Sequence, residues 1–348
     1  MTAATGNVLA PMKAAIAAAV AGQHLDAALV ELAMGVILAG QASPGQIGAL
    51  LVALRMKGET AEELAAAARV MRRHCVRVDL APKPVLLDTC GTGGDGLGTF
   101  NISTAAAIVV AAVGVPVAKH GNRAASSQTG SADVLEALGI VIELAPLQVA
   151  RCIEQVGIGF MFARSHHPAM RHVAAVRGEI GVRTLFNFLG PLANPAGATH
   201  QVIGVSDVRV LETMARVLLL LGSTRAMVVH GHGGLDEIAL AGPSRVAQLE
   251  NGVVKLSVVS PEEFGLTTQP DADLRGGDAA HNAKLIRALL AGEPGPRRDA
   301  VVINAAAALY IAGRAGSLRD AAVRAAAAID AGAAQNTLDA WIAASKAA

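Results

Sequence analysis

Two glycine-rich stretches most constrain what this chain can fold into. Each follows a short apolar run, and each leads into a helix-forming segment. The first reads Asp88-Thr89-Cys90-Gly91-Thr92-Gly93-Gly94-Asp95-Gly96, the second Lys119-His120-Gly121-Asn122-Arg123-Ala124-Ala125-Ser126-Ser127. Adjacent strand–loop–helix units build a parallel sheet covered by helices, and they aim many backbone N–H groups at one place. A phosphate-bearing ligand is therefore the first expectation.

The rest of the chain agrees with an α/β class. Val85–Asp88, Val115–Lys119, Val141–Leu144, Gly159–Phe162, Thr199–Val205 and Arg225–His230 read as short strands, most of them separated by helix-like stretches. Arg245–Val259 reads as a hairpin around Asn251-Gly252. Helical patterns return at Ala280–Ala291, Ala300–Gly313 and from Leu318 to the end. Before residue 79 only helices are expected: Pro11–Ala21, Leu25–Leu38, one opened by Ser43-Pro44-Gly45-Gln46, and one opened by Thr60-Ala61-Glu62-Glu63. The expectation is a helical domain at 1–78, joined by helices from about 165–195. An α/β domain with a mostly parallel central sheet follows at 79–348.

Composition narrows the function. The chain has 348 residues, 53% of them hydrophobic and only 2% aromatic, so Ala, Val, Leu and Ile must fill the core. Net charge +1 with one Trp and one Tyr argues against a broad nucleic-acid surface. Three cysteines without a CxxC pair argue against a disulfide framework or zinc site, and fit a reducing cytoplasm. Met1–Lys13 lacks the pattern of a secretory signal. The longest apolar stretch, Ala105–Ala118, is interrupted by Gly114 and Pro116 and is too short to span a bilayer.

In the first loop, four glycines and an Asp within Gly91–Gly96 exceed what a turn requires. No Gly-Lys-Ser/Thr follows, so it is not a Walker loop. Gly91, Gly93 and Gly96 match GxGxxG by letter, but the acidic residue of dinucleotide sites is missing about 20 residues on. Thr99-Phe100-Asn101-Ile102-Ser103-Thr104 then opens a helix. Either Asn101 or Ser103 is expected to cap it, with the surplus hydroxyls and amides meeting an anion. The second loop gathers Lys119 and Arg123 as cations, Asn122 as an amide, and Ser126 and Ser127 as hydroxyls, a set suited to a diphosphate. Gly130-Ser131-Ala132-Asp133 starts the next helix. Asp236-Glu237 follow a third glycine-rich stretch; adjacent acids are ordinary on a surface, but beside a diphosphate they suit Mg²⁺. Arg177 and Arg183 either pair with surface acids or receive a substrate carboxylate.

With these residues in hand, the chain resembles the anthranilate phosphoribosyltransferases of the nucleoside phosphorylase/phosphoribosyltransferase class III family. The likeness runs in order through both glycine loops, Gly130–Gly139, His167-Pro168-Ala169-Met170 and Arg183-Thr184-Leu185-Phe186-Asn187. It continues through Gly190-Pro191-Leu192-Ala193-Asn194-Pro195, Gly234-Leu235-Asp236-Glu237, Gly276–Ala280 and Asn304–Ala307. The resemblance implies transfer of the phosphoribosyl group of phosphoribosyl diphosphate to the amine of anthranilate, in tryptophan biosynthesis. It also implies a cleft between a helical and an α/β domain, and homodimers formed through the helical domain. Carried over by matching motif, Gly91, Gly94, Asp95, Thr99, Asn101, Ile102, Ser103, Thr104, Lys119, His120, Gly121, Asn122, Arg123, Ala124, Ala125, Ser126, Ser127 and Ser131 would hold the sugar diphosphate. Ser103, Asp236 and Glu237 would hold Mg²⁺. Gly91, Asn122, Arg177, His120 and Pro191 would meet anthranilate, with Arg177 facing its carboxylate.

Three places depart from the family pattern: Cys90 for an aliphatic residue, Arg164-Ser165 before His166, and Gly178 after Arg177. Two other functions stay open at this point. A pyrimidine nucleoside phosphorylase-like enzyme would use inorganic phosphate, and a non-catalytic relative would bind nucleic acid.

Overall fold

The computed structural model describes residues 9–124 and 128–348. Four helices come first: α1 (Ala10–Val20), α2 (Ala27–Leu38), α3 (Pro44–Lys57) and α4 (Ala61–Arg73). Ser43 with Gln46, and Thr60 with Glu63, close reciprocal capping boxes that start α3 and α4 where the sequence places them. Beyond them the chain alternates. β1 (Leu87–Gly91), α5 (Ile102–Ala112), β2 (Val117–Gly121), α6 (Ser131–Leu138), α7 (Pro146–Val156) and β3 (Ile158–Phe162) form the first run. Short α8 (Ala163–His166), then α9 (Arg171–Ile180) and α10 (Phe186–Leu192), lead to β4 (His200–Gly204), α11 (Leu211–Leu220) and β5 (Arg225–His230). The hairpin β6 (Ser244–Glu250) and β7 (Val253–Val259) precedes α12 (Ala279–Leu290), α13 (Pro296–Ile311), α14 (Leu318–Asp330) and α15 (Ala333–Ala347).

The seven strands lie in the order β3-β2-β1-β4-β5-β6-β7. The first five are parallel, and β6 and β7 run antiparallel. The fold class is therefore the expected α/β arrangement with an added helical bundle. Asn251 (φ 50°) and Gly252 (φ 74°) make the left-handed turn between β6 and β7.

Both sheet faces are covered, as parallel strands require. Val202, Met227 and Val229 join a core with α5, α6 and α12 to α15. Their neighbours Ile203, Ala226 and Val228 face the other way, into a core shared by α11, the four N-terminal helices, α9 and α10. The bundle is thus built on one face of the sheet, and α9 and α10 are part of its packing.

Two expectations fail. Val141–Leu144 is not a strand: it is an extended connector between α6 and α7. The Val141 N–H donates to Ser345 Oγ on α15 at 3.1 Å, so a helix supplies the partner that a neighbouring strand would. The C-terminal helix is two helices, α14 and α15, broken at Gly332 (φ 70°). None of the described helices is long and apolar enough to cross a membrane.

Candidate active site

Strand order reverses around β1: β2 and β3 lie on one side of it, β4 and β5 on the other. Crevices in open α/β sheets form outside the carboxyl ends of strands at such a switch point. The first glycine loop leaves β1 there, the second leaves β2, and Asp236-Glu237 follow β5.

These three segments meet. The Gly93 N–H donates to Asp236 Oδ2 at 2.8 Å, and the Ser103 N–H donates to Glu237 Oε1 at 3.0 Å. A Cβ at Gly91 would run into the Asp236 carboxylate, and one at Gly204 would strike the Asp236 carbonyl. Gly91 and Gly204 are paired across β1 and β4, so two facing glycines open the space that admits the acidic segment. Gly93 and Gly94 hold φ of 64° and 80°, the left-handed conformation that turns the loop back over the strand ends.

The start of α5 departs from expectation. Asn101 is the capping residue by position, yet its side chain makes no capping bond. Its amide donates instead to the Thr129 carbonyl at 3.1 Å and accepts from Asn282 Nδ2 at 3.1 Å. Glu237 takes the capping role from outside the helix, at the N–H of Ser103. A carboxylate suits the positive end of the helix, and nothing in the local pattern signals that it comes from 134 residues away.

Burial raises the Asp236 pKa to about 6, and the nearby Asp95 charge adds to the rise. Burial raises Glu237 to about 8, with Asp236 next, against the opposing pull of Lys119. Asp95 Oδ2 is buried without a partner. Half-buried carboxylates that repel one another are stabilised by a cation between them. Among the described residues no three His, Cys, Asp or Glu side chains form a ready metal cage. Two carboxylates with a serine hydroxyl leave most of the coordination sphere to phosphate and water, which fits Mg²⁺ rather than a caged metal.

Beneath the loops lies a polar network. The buried Lys119 Nζ donates to the Thr89 carbonyl at 2.6 Å. Asp88 accepts from the His120 N–H at 3.1 Å and from Asn194 Nδ2 at 2.8 Å, and Asn194 also donates to the Ala118 carbonyl at 2.8 Å. Asn194 thereby ties β1, β2 and the segment after α10 together. Burial raises Asp88 to about 6, opposed by Lys119.

On the other side of β2, His120 Nδ1 lies 3.0 Å from the Gly190 carbonyl of α10. Its ring is 5.0 Å from that of His167, centroid to centroid, and Nε2 of both rings is buried without a partner. Burial holds His120 well below the usual histidine range and His167 at about 4, so both are neutral near pH 7. Pro191 is buried beside them on α10. Arg177, on α9, lies 5.8 Å from the Phe186 ring centre; it is half-buried and makes no ion pair among the described residues.

Curated relatives and solved structures share this architecture. Residues 13–75 match the helical bundle domain of the glycosyl transferase family, and residues 83–335 match its α/β domain. The anthranilate phosphoribosyltransferase of Moorella thermoacetica is 53% identical over 332 residues, covering 95% of this chain and 98% of its own length. The chain belongs to the anthranilate phosphoribosyltransferase family. The crystal structure of the Thermus thermophilus member superimposes with a TM-score of 0.91 at 47% identity, covering 95% of this chain and 99% of that one. The Saccharomyces cerevisiae member, solved in complex with PRPP and Mg, superimposes with a TM-score of 0.89 at 28% identity, covering 99% of each chain.

Of the residues the sequence nominates, the structure brings Gly91, Ser103, Asp236 and Glu237 into one contact set with Gly93. Lys119 lies under the loops rather than on them. Arg123 is turned away towards α6, paired with Asp133 Oδ1 at 2.9 Å and with Glu136. Ser131 Oγ donates to the Asn122 carbonyl at 3.3 Å, bracing the second loop from below. Ala125, Ser126 and Ser127 lie outside the described residues. The sequence motifs include Asp88, His167 and Asn194 but assign them no role, they pass over Gly204 and Ser206, and they leave the role of Arg183 undecided. The buried pairings of Asp88 and Asn194 cross 106 residues of chain, and no local pattern announces them.

Proposed function

We propose that this chain joins anthranilate to phosphoribosyl diphosphate, releasing N-(5-phosphoribosyl)anthranilate and diphosphate, as a pentosyltransferase of tryptophan biosynthesis. The observation that carries this is the convergence of Asp236 and Glu237 on the first glycine loop and the start of α5. A site of that kind accepts a metal-bound polyanion at the sheet's switch point.

On this account the amine attacks the ribose C1 carbon, the C1–oxygen bond to diphosphate breaks, and the surplus proton on nitrogen passes to the departing diphosphate or to water. Ser103, Asp236 and Glu237 hold Mg²⁺, which when bound offsets the negative charge growing on the departing diphosphate. Gly91, Gly94, Asp95, Thr99 and Asn101 to Thr104 line the donor side with amides and hydroxyls. Gly121 to Ala124 form its second wall, with Lys119 beneath it and Ser131 bracing it, while Ala125, Ser126 and Ser127 are assigned to the donor by the family resemblance. Arg123 exchanges its present acids for phosphate when the donor arrives. Arg177 receives the carboxylate of anthranilate, a planar fork for a planar anion. Gly91, Asn122, His120 and Pro191 flank the ring. An aromatic amine is largely unprotonated at neutral pH, so no side chain is assigned as acid, base or nucleophile. Catalysis is positioning plus charge stabilisation.

Residues 1–78 with the helices of about 165–195 form the helical domain of this proposal, and 79–348 the α/β domain. The helical domain is also its homodimer surface: on α3, Val52 and Met56 are exposed one turn apart, Met56 at 83%. The test is a fluorescence assay of anthranilate consumption. Loss of signal only with both phosphoribosyl diphosphate and Mg²⁺ supports the reaction. No consumption with all components present overturns it.

A further inference from the structure

The backbone of Gly93 is held at both ends. Its N–H donates to Asp236 Oδ2 at 2.8 Å. Its carbonyl accepts from Arg183 Nη1 at 2.7 Å and from Ser206 Oγ at 3.1 Å. Arg183 comes from the link between α9 and α10, Ser206 from the turn after β4, and Asp236 from the segment after β5. Three distant segments therefore fix the two peptides that flank one residue of a glycine loop, a loop with little side-chain packing of its own.

Arg183 is itself held. Its guanidinium carbon lies 5.9 Å from the ring centre of Phe188, which is buried on α10. A Cβ on Gly94 would occupy the place of Arg183 Nη1, so the arginine lies directly against the loop. The same helix braces the other loop, through the Gly190 carbonyl and His120. One short helix thus supports both loops, one by way of an arginine and the other by way of a histidine.

We propose that Arg183 is the positioning residue of the donor site: it holds the Gly93 carbonyl so that the loop amides stay aimed at the diphosphate. The claim rests on the donor assignment made above, but the latch has a consequence that needs no ligand. A hydrogen bond from a charged donor to a carbonyl restrains that peptide strongly. Without it, Gly93 and Gly94 regain the wide backbone freedom of glycine, and the donor site must be ordered at each binding event.

The experiment uses Arg183→Ala, Arg183→Lys and Ser206→Ala in the full chain. Hydrogen exchange of the peptide spanning residues 91–98 is followed first, without ligand or metal. Exchange in Arg183→Ala is expected to be about tenfold faster than in the parent. Ser206→Ala should show a smaller rise, and Arg183→Lys an intermediate one, since lysine keeps a charged donor but loses the planar guanidinium that stacks on Phe188. Steady-state kinetics then separate the substrates. The KM for phosphoribosyl diphosphate should rise about tenfold in Arg183→Ala and fall back in part in Arg183→Lys. The KM for anthranilate should stay within about twofold. Unchanged exchange in all three variants overturns the latch. So does a rise in the anthranilate KM alone, which would place Arg183 on the acceptor. If Arg183→Ala does not fold, Arg183→Lys and Ser206→Ala carry the same test. An inactive parent protein would contradict the proposed reaction while leaving the exchange result to judge the latch.

Discussion

The two halves of the site are built in opposite ways. The proposed donor half is backbone: Gly91, Gly93, Gly94 and Gly204 leave room for main-chain amides and for the acids of residues 236 and 237. The proposed acceptor half is side chain: His120 on β2, Arg177 on α9, Pro191 on α10 and His167 in the link after α8, with burial keeping the histidines neutral. The difference teaches that a polyanion is met by amides that cannot lose their protons. A flat aromatic acid is met by apolar walls with one cation. It also divides the effects that substitutions should have.

The largest effect should come from the acids that the donor half encloses. Asp236→Ala removes a proposed metal ligand and frees the Gly93 N–H, and kcat/KM should fall about a thousandfold. A loss under tenfold in the fluorescence assay would break the comparison, because the donor half would then work without its acid. Next comes crowding. Gly91→Ala drives a methyl into the Asp236 carboxylate and should cost about 2 kcal/mol, read as roughly a thirtyfold rise in the KM for phosphoribosyl diphosphate. Gly178, whose Cβ would meet nothing within 4 Å, is the control on the acceptor-side helix. Gly178→Ala should leave the KM for both substrates within about twofold.

Arg177→Ala should raise the anthranilate KM about tenfold and spare the phosphoribosyl diphosphate KM. An unchanged anthranilate KM would remove Arg177 from the acceptor half. The remaining effect is on stability rather than on activity, and it concerns pH. Burial lowers the pKa of His120, His166 and His167, the last from 6.5 to about 4. In that interval the unfolded chain binds more protons than the folded one, so these groups add stability above the unfolded pKa. The contribution is lost as pH falls from about 6.5 towards 4. For His167 alone the full loss is roughly 3 kcal/mol. Thermal melts of the parent and His167→Gln across that range check the sign: the glutamine variant should lose less stability on acidification.

Legibility in the sequence follows the same division. The glycine loops and the helical segment were legible because their signals are local. Glycine clusters after apolar runs, the capping boxes at Ser43 and Thr60, and the Asn251-Gly252 turn each fit within a few residues. What failed had a distant cause. Val141–Leu144 has the composition of a strand, but its backbone partner is a serine on α15. Asn101 has the chemistry of a cap, yet Thr129 and Asn282 claim its amide and Glu237 caps the helix. Lys119 and Arg123 looked like a pair of loop cations. The strand buries one, and Asp133 and Glu136 hold the other. The residues around Arg177 and Arg183 did not tell them apart; the family resemblance alone chose Arg177 for the carboxylate and gave Arg183 no role. Only the folded chain sets one against Gly93 and the other over Phe186.

The claim that everything else depends on is that Asp236 and the first glycine loop make one magnesium-dependent donor site. Calorimetric titration of phosphoribosyl diphosphate into the parent protein and into Asp236→Ala, each with and without Mg²⁺, tests it most directly. The account predicts tight binding only to the parent with Mg²⁺. Equal binding to both proteins, or binding indifferent to the metal, would contradict it.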